Sequence, residues 1–534
     1  MRSGTFADES PLPRAPLVRP VDRLSTAKTI AEPAKPASSA GDATAAEKPR
    51  SNSRSGKEAA AGAKPADSPY IWPLGVAAVP QDTVRIGPAG AGDHAGIHQL
   101  LAAVFHAPSK DDFASSLEDP FYEPCDRIVV KRDMQVLGHT HLAQRVVRFG
   151  GEGLPATALH RLCVSPEYRG RDLGRRMLEH ADTSMAGDGS VLGLLTTRIP
   201  HYFRKSDWVV CLRHSHAQVG ARDLLAQLSV RGYAPHGLDD EITIRPWRHV
   251  ELPSLVRLYQ DRTAEAFGPF ERTEAYWRWL VNRYADNIFV ALAGPKRFDF
   301  DFSDDSIVGY VVQCDDAILE LVASDRVSGV KERLLTRACG DAIERDHHVV
   351  RLHLAPDEPL WSAVEAAGGK LHRTEVCDGE VTMVKLFDQP EFLRRLLPKL
   401  HDRLRDLSAP ASINGHATNG HAANGHTSNG RTGLEPLRSE ELARATELGI
   451  VVGELRLCLQ LSRRSVKLVD GTSAKTSIRL STADFTRLLL GHLDIAEAAA
   501  SGRLKASSQR ALRLASALFP RLPLWHPPLD DLLV

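Results

Sequence analysis

The residues best suited to chemistry lie in one stretch, LCVSPEYRGRDLGRRML at positions 162–178. An apolar strand pattern ends at Val164, a turn containing a proline follows, and an amphipathic helical pattern then begins. The first N–H groups of a helix have no partner within it, and its N-terminus carries partial positive charge, so this turn is suited to bind a pyrophosphate. Gly170 lets the backbone approach the phosphates. Three arginines add positive charge, namely Arg169, Arg171 and Arg175.

The stretch resembles the motif of the GNAT N-acetyltransferase superfamily, R/Q-x-x-G-x-G/A after a V-x-P turn. Arg169 matches the first motif position and Gly174 the last, whereas Asp172 replaces the middle glycine. A carboxylate near a pyrophosphate costs electrostatic energy unless it points outward or pairs with an arginine. Because the helix N-terminus and three arginines outweigh one carboxylate, we expect binding to persist. The resemblance implies acetyl-coenzyme A (acetyl-CoA) as co-substrate. It assigns the cofactor site to Leu162, Cys163, Val164, Arg169, Gly170, Arg171, Asp172, Leu173, Gly174 and Arg175.

In this superfamily the strand before the motif pairs with the pantetheine arm, a role that the resemblance gives to residues 162–164. The side chain of Cys163 is expected to be buried and structural rather than nucleophilic. The segment HYFRKSDW at 201–208 is similar to the family's F-Y-x-K-L-G-F segment, where a tyrosine often protonates the leaving thiolate. Aligned on the basic pair, that position is Phe203, and Tyr202 points about 100° away around the helix. Tyr202 is a candidate general acid or, alternatively, an aromatic that packs the helix.

The attack of an amine on a thioester also requires a base or a water chain. His160 lies on the strand that approaches the thioester and is a candidate base, although a lone strand histidine is more often structural. Other options are His139, His141 and His201. Even without a base, holding the amine beside the thioester lowers the barrier.

The elements that position these residues follow from the hydrophobic pattern. Strands, then a helix, then a strand indicate a mixed α/β layer structure. The first unit is predicted to contain strands at 127–131, 142–149, 156–164 and 191–196 and a helix at 170–184. A second unit opens in the same way near residue 241, which suggests a tandem repeat. Strand 318–323 and helix 330–345 lie where the cofactor strand and its helix should be, but no R-G-x-G follows. This unit resembles a GNAT unit without a cradle, and its expected role is to shape the substrate cleft.

The C-terminal unit runs from a strand at 478–480 into a helix capped by Ser481 or Thr482. It resembles the sterol carrier protein-like fold, which can hold lipid in an apolar tunnel. Two GNAT units followed by such a unit is the layout of the enhanced intracellular survival (Eis) acetyltransferase family. That resemblance implies that the C-terminal carboxylate, here on Val534, enters the cleft as the base, although packing of the tail is an equal interpretation. It also implies a small-molecule or lysine amine as acceptor and a homo-oligomer.

Composition breaks divide the chain. The first 80 residues contain few large apolar side chains and are expected to be disordered. Asn-Gly repeats every five residues between 414 and 431 indicate a flexible linker. The predicted fold class is mixed α/β, with two tandem GNAT-like mixed-sheet units and a small sterol carrier protein-like domain. The predicted ranges are 1–80 for the tail, 82–235 for the catalytic domain, 241–405 for the degenerate domain, 406–433 for the linker and 434–534 for the last domain.

Composition also bounds the function. The chain has 534 residues, and its 67 basic and 67 acidic side chains argue against a nucleic-acid binder that works through global charge. No apolar stretch approaches the ~18 residues of a membrane span. Acidic residues near the start interrupt any signal-peptide core. Seven scattered cysteines without a C-x-x-C pair predict neither a disulfide scaffold nor a metal site. A cytoplasmic protein is expected.

The sequence therefore predicts an acetyl-CoA-dependent N-acetyltransferase that moves acetyl directly from the thioester to a primary amine. Two alternatives stay open. A non-catalytic acyl-CoA-binding sensor or scaffold is suggested by Asp172 and Phe203, and lipid binding is suggested by the C-terminal unit.

Overall fold

The computed structural model describes residues 84–212, 214–233, 242–294, 306–355, 357–374, 381–408, 447–462, 464–471 and 474–530. The predicted disordered tail, 1–80, lies outside these residues. So does the predicted linker, except for residues 406–408, which end a helix. In the described part of the chain, no helix is both long and apolar enough to cross a bilayer.

The described residues form strands and helices in alternation. The strands are β1 Arg85–Pro88, β2 Arg127–Arg132, β3 Gln135–Phe149, β4 Glu152–Val164, β5 Leu192–Thr197, β6 Val209–Leu212, β7 His214–Gly220, β8 Ile242–Pro246, β9 Phe267–Phe270, β10 Ile288–Ala293, β11 Ile307–Cys314, β12 Ala317–Ala323, β13 Val349–His353, β14 Lys370–Thr374, β15 Val381–Leu386, β16 Glu447–Val452, β17 Leu455–Leu461, β18 Val466–Asp470, β19 Ser477–Leu480 and β20 Lys505–Ala506. The helices are α1 His94–Phe105, α2 Lys110–Ser116, α3 Leu173–Gly187, α4 Pro200–Arg204, α5 Ala221–Val230, α6 Leu252–Thr263, α7 Glu274–Arg283, α8 Val330–Glu344, α9 Trp361–Ala366, α10 Gln389–Ser408, α11 Thr482–Leu489, α12 Ile495–Ala500 and α13 Gln509–Leu518. The strands and the helix predicted for the first unit are confirmed, with ends shifted by a few residues.

Three mixed sheets organise these elements. The first has the order β1-β2-β3-β4-β5-β15-β6, with β9 added on β3, and its β4 and β5 run parallel. The second has the order β14-β7-β13-β12-β11-β10-β8, with β12 and β13 parallel. The third has the order β18-β17-β16-β19-β20, with β16 and β19 parallel. The predicted mixed α/β class is therefore confirmed.

The first two sheets exchange strands. β15 comes from the predicted range 241–405, yet it pairs with β5 and β6 in the first sheet. β7 comes from the predicted range 82–235, yet it pairs with β13 and β14 in the second sheet. Both β5 and β15 are almost wholly buried, so each needs a partner on both edges, and the exchange supplies one. The two predicted ranges therefore do not coincide with the two sheets.

The first sheet packs on both faces. Helix α3 presents Leu173, Met177, Leu178, Ala181 and Met185 along one buried stripe, as the helical period of their spacing requires. This stripe and apolar residues of the sheet form one core. The opposite face, which we call the α1–α2 face, forms a separate core with α1 and α2 that includes Cys163. The sheet thus separates two environments, and β4 contributes to both.

Candidate active site

The predicted pyrophosphate cradle lies where β4 ends and α3 begins. Gly170 has a φ of +76°, and Asp172, the residue before α3, has a φ of +62°. No side chain caps α3, so its first N–H groups have no intrahelical partner and no cap. A Cβ added to Gly170 would meet nothing within 4 Å, which shows that the turn is open on that side. An uncapped helix N-terminus beside an open turn is suited to bind an anion.

Asp172, which replaces the family's middle glycine, pairs with Arg175. The Arg175 Nε atom lies 2.8 Å from Oδ1 and 3.0 Å from Oδ2 of Asp172, and Arg175 also contacts Glu179. The hydrogen bond from Arg175 lowers the pKa of Asp172, so the carboxylate is ionised at neutral pH. One guanidinium thus serves two carboxylates on the helix surface. Arg175 is therefore paired rather than a free cation of the cradle, which is one of the two arrangements of Asp172 that the sequence left open.

The other two arginines stay on the turn. Arg169 donates from Nε to the carbonyl oxygen of Val164 over 3.3 Å, and its side chain is exposed. Arg171 lies over the ring of Tyr168, with 5.0 Å between its Cζ atom and the ring centroid. Neither contact neutralises the guanidinium charge, so both arginines can add positive potential at the cradle.

Gly174 and Tyr202 meet at the start of α3. A Cβ on Gly174 would lie only 2.8 Å from the Tyr202 hydroxyl oxygen and 3.8 Å from a methyl group of Val164. This close approach explains why a glycine suits the last motif position. Phe203, the residue that the family alignment selects, is buried in the core, whereas Tyr202 faces the cradle. Burial and the charge of Asp172 raise the pKa of Tyr202, so its hydroxyl stays protonated.

Strands β4 and β5 diverge beside the cradle. Their parallel pairing extends only from Ala156 to Leu159 on β4, although β4 continues to Val164. On its other edge, β4 stays paired with β3 up to Val164. Residues 160–164 therefore lie outside the β4–β5 ladder, at a position where an extended ligand can add to the sheet. The Cys163 side chain is buried on the α1–α2 face, and desolvation raises the pKa of its thiol to about 12, so a nucleophilic role is disfavoured.

A bulge interrupts β4 at the same place. His139 pairs with Cys163 and His141 with His160, so two residues of β4 stand opposite one residue of β3. Arg161 adopts a φ of +51° there, a conformation that L side chains rarely take. The rings of His160 and His141 lie 6.0 Å apart. Burial lowers the pKa of His141 well below its ordinary value, so this histidine is neutral beside His160.

A buried polar cluster on the α1–α2 face was not predicted from the sequence. Arg127, which is 3% exposed, has its Nη1 atom 3.1 Å from Nε2 of His139 and donates from Nε to the Tyr122 hydroxyl over 3.1 Å. The Nδ1 atom of His139 lies 3.4 Å from the carbonyl oxygen of Arg161. Burial lowers the pKa of His139 well below its ordinary value. No spacing rule points to these residues, because the β2–β3 pairing and the bulge bring them together.

The second sheet has a corresponding strand and helix without an open cradle. The residue before α8, Gly329, has a φ of +78°, but a Cβ on it would lie 2.6 Å from the ring of Tyr233. Lys331 in the first turn of α8 is paired with Glu358 at 2.8 Å. The sequence predicts no cradle in this unit. In the structure, an aromatic ring lies against the turn before α8.

The C-terminal segment ends in a buried ion-pair cluster. Arg272 contacts Glu320 at 2.6 Å and Asp530 at 2.8 Å, and all three side chains are at most 1% exposed. Tyr310 donates its hydroxyl to Glu320, and Tyr276 donates to Asp530. Val534, the predicted base, lies outside the described residues. The position of the chain four residues before it is fixed by this cluster.

Comparison with known proteins agrees with this geometry. The family profile of the acetyltransferase (GNAT) domain matches residues 85–211. No curated protein matches the sequence. A GCN5-related N-acetyltransferase from Anabaena variabilis aligns over 83% of this chain and 99% of its own, with 14% identity and a TM-score of 0.58. One from Kribbella flavida aligns over 83% and 97%, with 14% identity and a TM-score of 0.56. Eis1 from Mycobacterium abscessus aligns over 82% and 97%, with 16% identity and a TM-score of 0.49.

Similarity at such low identity indicates a shared fold, and the profile match identifies the family of the matched region. That region includes β4, the cradle and all of α3, and it ends within β6. The resemblance to the GNAT superfamily inferred from the motif is confirmed. The chain therefore contains a GNAT-type acetyltransferase domain at residues 85–211.

Proposed function

We propose that this protein transfers acetyl from acetyl-CoA directly to a primary amine. The observation that supports this most strongly is the uncapped, open N-terminus of α3 beside the gap between β4 and β5. In the proposal, the diphosphate binds to residues 169–174 and the pantetheine arm pairs with the open edge of residues 162–164. The acetyl thioester then lies next to the bulge at Arg161. Arg175 contributes less than the other arginines because two carboxylates neutralise it.

The transfer requires no covalent enzyme intermediate. The amine nitrogen attacks the acetyl carbon, the carbon–sulfur bond breaks, and the thiolate leaves with the electron pair. A proton passes from the amine to a base, and the thiolate gains a proton from an acid. Holding the amine beside the thioester supplies much of the rate enhancement. The acceptor is a small-molecule or lysine amine in this proposal.

Tyr202 is the proposed acid. Its raised pKa keeps the hydroxyl protonated and able to donate. Its position against Gly174 and near Val164 places the hydroxyl at the junction of the cradle and the open edge of β4. An alternative for the same geometry is that the hydroxyl donates to the bound coenzyme without transferring a proton.

His160 and the Val534 carboxylate are the two proposed bases. His160 lies at the bulge, with its ring centroid 6.0 Å from that of the neutral His141. Val534 is four residues beyond the buried Asp530, and four extended residues span at most about 14 Å.

Two measurements test the proposal. Calorimetric titration measures acetyl-CoA binding, and release of the coenzyme thiol measures turnover with a panel of primary amines. We expect binding and amine-dependent release, with Tyr202→Phe lowering kcat about tenfold or more while leaving the Kd for acetyl-CoA unchanged. Binding without release for every amine would favour the sensor or scaffold. An unchanged kcat in Tyr202→Phe would exclude Tyr202 as the acid.

A further inference from the structure

Two guanidinium groups at the cluster on the α1–α2 face, those of Arg127 and Arg161, form no ion pair with a carboxylate among the described residues. We propose that Arg127 and Arg161 bind a carboxylate of the acceptor, so that the acceptor is an amino acid or a related amine that carries an acid. This inference rests on the proposed function, because it concerns the amine that attacks the thioester. Such an acceptor carries a negative charge, which a polycationic amine lacks.

Arg127 is buried, and its hydrogen-bond partners are neutral groups. In the described part of the chain its hydrogen-bond partners are the Tyr122 hydroxyl, the His139 ring and the Ser116 hydroxyl. Its guanidinium also lies over the rings of Phe113 and Tyr122, at 5.0 and 5.2 Å from their centroids. A buried charge is ordinarily paired with an opposite charge, because desolvation of an unpaired ion is costly. Among the described residues, Arg127 therefore has no carboxylate in an ion pair to offset its buried charge.

Arg161, at the bulge, also has a donor without a partner among the described residues. Its Nη1 atom is buried and has no hydrogen-bond partner among the described residues. The remainder of the residue is partly accessible, so a ligand can approach it. Its positive φ is a strained conformation, and strain of this kind is concentrated at functional sites. The strand thus holds an unsatisfied donor one residue before the proposed pantetheine edge.

The acidic side chains near this pair already have other partners. Asp119 pairs with Arg145 at 2.7 Å, and Asp126 accepts from the backbone N–H of Glu123 at 2.8 Å. Asp112 accepts from the Ser109 hydroxyl at 2.7 Å. None of these three carboxylates forms an ion pair with Arg127 or Arg161 in the described part of the chain. The described residues therefore leave this position open to an external anion.

The second sheet has a corresponding position at which the charged side chain is paired within the chain. Arg161 lies three residues before the end of β4, and Glu320 lies three residues before the end of β12. Register shifts interrupt the pairing of both strands nearby. Glu320 is bound by Arg272, which Asp530 of the C-terminal segment also contacts. The charged group in the second sheet is thus completed from within the chain, whereas the one in the first sheet is not.

A coenzyme phosphate is a poor candidate for the missing anion. The cradle and Tyr202 belong to the α3 side of the sheet, whereas Arg127, His139 and Cys163 belong to the α1–α2 face. In the proposed function the thioester lies at the gap between β4 and β5, next to the bulge at Arg161. Near that gap, an amine with a carboxylate a few bonds away can place the nitrogen at the thioester and the acid on the guanidinium groups. Arginine binds carboxylates in a fork geometry that orients the ligand.

The experiment compares matched amines. Each of a panel of L-amino acids is assayed against its own primary amide, which keeps the amine but removes the negative charge. We expect kcat/KM at least about tenfold higher for the best acids than for their amides. Arg161→Gln should bring this ratio close to one without changing the Kd for acetyl-CoA, and Arg161→Lys should retain part of it. Arg85→Gln, an exposed arginine on β1, is the control and should leave the ratio unchanged.

A binding measurement separates this inference from the proposed function. Saturation-transfer NMR detects N-acetylated amino acids and their N-acetylated amides on the wild-type protein whether or not turnover occurs. Preferential binding of the acids that is lost in Arg161→Gln supports the anion site even if no amine is acetylated. Acetylation of acids and amides with equal kcat/KM, or equal binding of both probes, overturns it while leaving an acetyltransferase in place.

Discussion

The helices α3 and α8 follow corresponding strands and are preceded by the same left-handed backbone conformation, yet their surroundings differ. At α3 the turn is open, no side chain caps the helix, and two arginines remain unneutralised. At α8 the ring of Tyr233 lies against Gly329, and a lysine is paired with Glu358. The difference shows that a strand, a turn and a helix are insufficient for an anion site. The turn must also be left uncovered by the rest of the chain.

The largest effect is expected in the second sheet, where the charges are completed internally. Arg272→Met leaves Glu320 and Asp530 buried without their cation and should lower the free energy of unfolding by about 3–5 kcal/mol. Chemical denaturation followed by tryptophan fluorescence measures this loss. Arg278→Met removes an exposed pair with Glu274 and should cost less than about 1 kcal/mol. Equal losses in both variants would show that the buried cluster does not hold the segment.

The next largest effect is expected when a negative charge is placed before α3 rather than before α8. Gly170→Glu places a carboxylate in the open turn, and a like charge within about 5 Å of the diphosphate should weaken acetyl-CoA binding about 100-fold or more. Ser328→Glu places the same charge before α8 and should leave the affinity unchanged. Calorimetric titration measures both. Retained affinity in Gly170→Glu would reject the position assigned to the cradle.

A smaller effect concerns the residue that departs from the family motif. Asp172→Gly relieves the left-handed conformation of a non-glycine residue and removes one of the two carboxylates that neutralise Arg175. Because the pair is exposed, the gain in acetyl-CoA affinity should be roughly two- to fivefold. The same titration detects it. A loss of affinity would mean that the Asp172–Arg175 pair supports the cradle rather than weakening it.

The smallest effect compares a carboxylate near the α1–α2 face that forms no ion pair among the described residues, Asp126, with the ion-paired carboxylates of the second sheet. Burial raises the pKa of Asp126 to about 6, above the value of an unfolded aspartate. The folded state therefore favours the protonated form, and its stability falls as the pH rises from about 4 through 6. Asp126→Asn should remove this loss and be more stable than the wild type by about 1 kcal/mol at pH 7 but not at pH 4. Thermal unfolding at both pH values tests it, and a pH-independent difference would contradict it.

The sequence was informative where local rules determine structure. The apolar period of Leu173 to Met185 predicts α3, and glycine and arginine types identify the cradle. It was uninformative where the contact depends on distant segments. The exchange of β7 and β15 depends on which sheet edges remain unpaired. The Arg127–His139–Arg161 cluster depends on a bulge and on the β2–β3 register. The pairing of Asp172 with Arg175 was one of several possibilities that spacing alone left open.

The exchange of strands also determines when each sheet can be completed during synthesis of the chain. The first sheet contains β15, so it is incomplete until residue 386 has left the ribosome, long after the residues of the cradle have emerged. The cluster of Arg272 and Glu320 gains Asp530 only after the third sheet has been synthesised. Because pairing between distant segments is slow and leaves strand edges exposed in the meantime, the nascent chain has a long interval in which it is prone to aggregate. Pulse-labelled ribosome-bound chains halted near residue 300 should accordingly be more sensitive to protease across residues 85–211 than the finished protein.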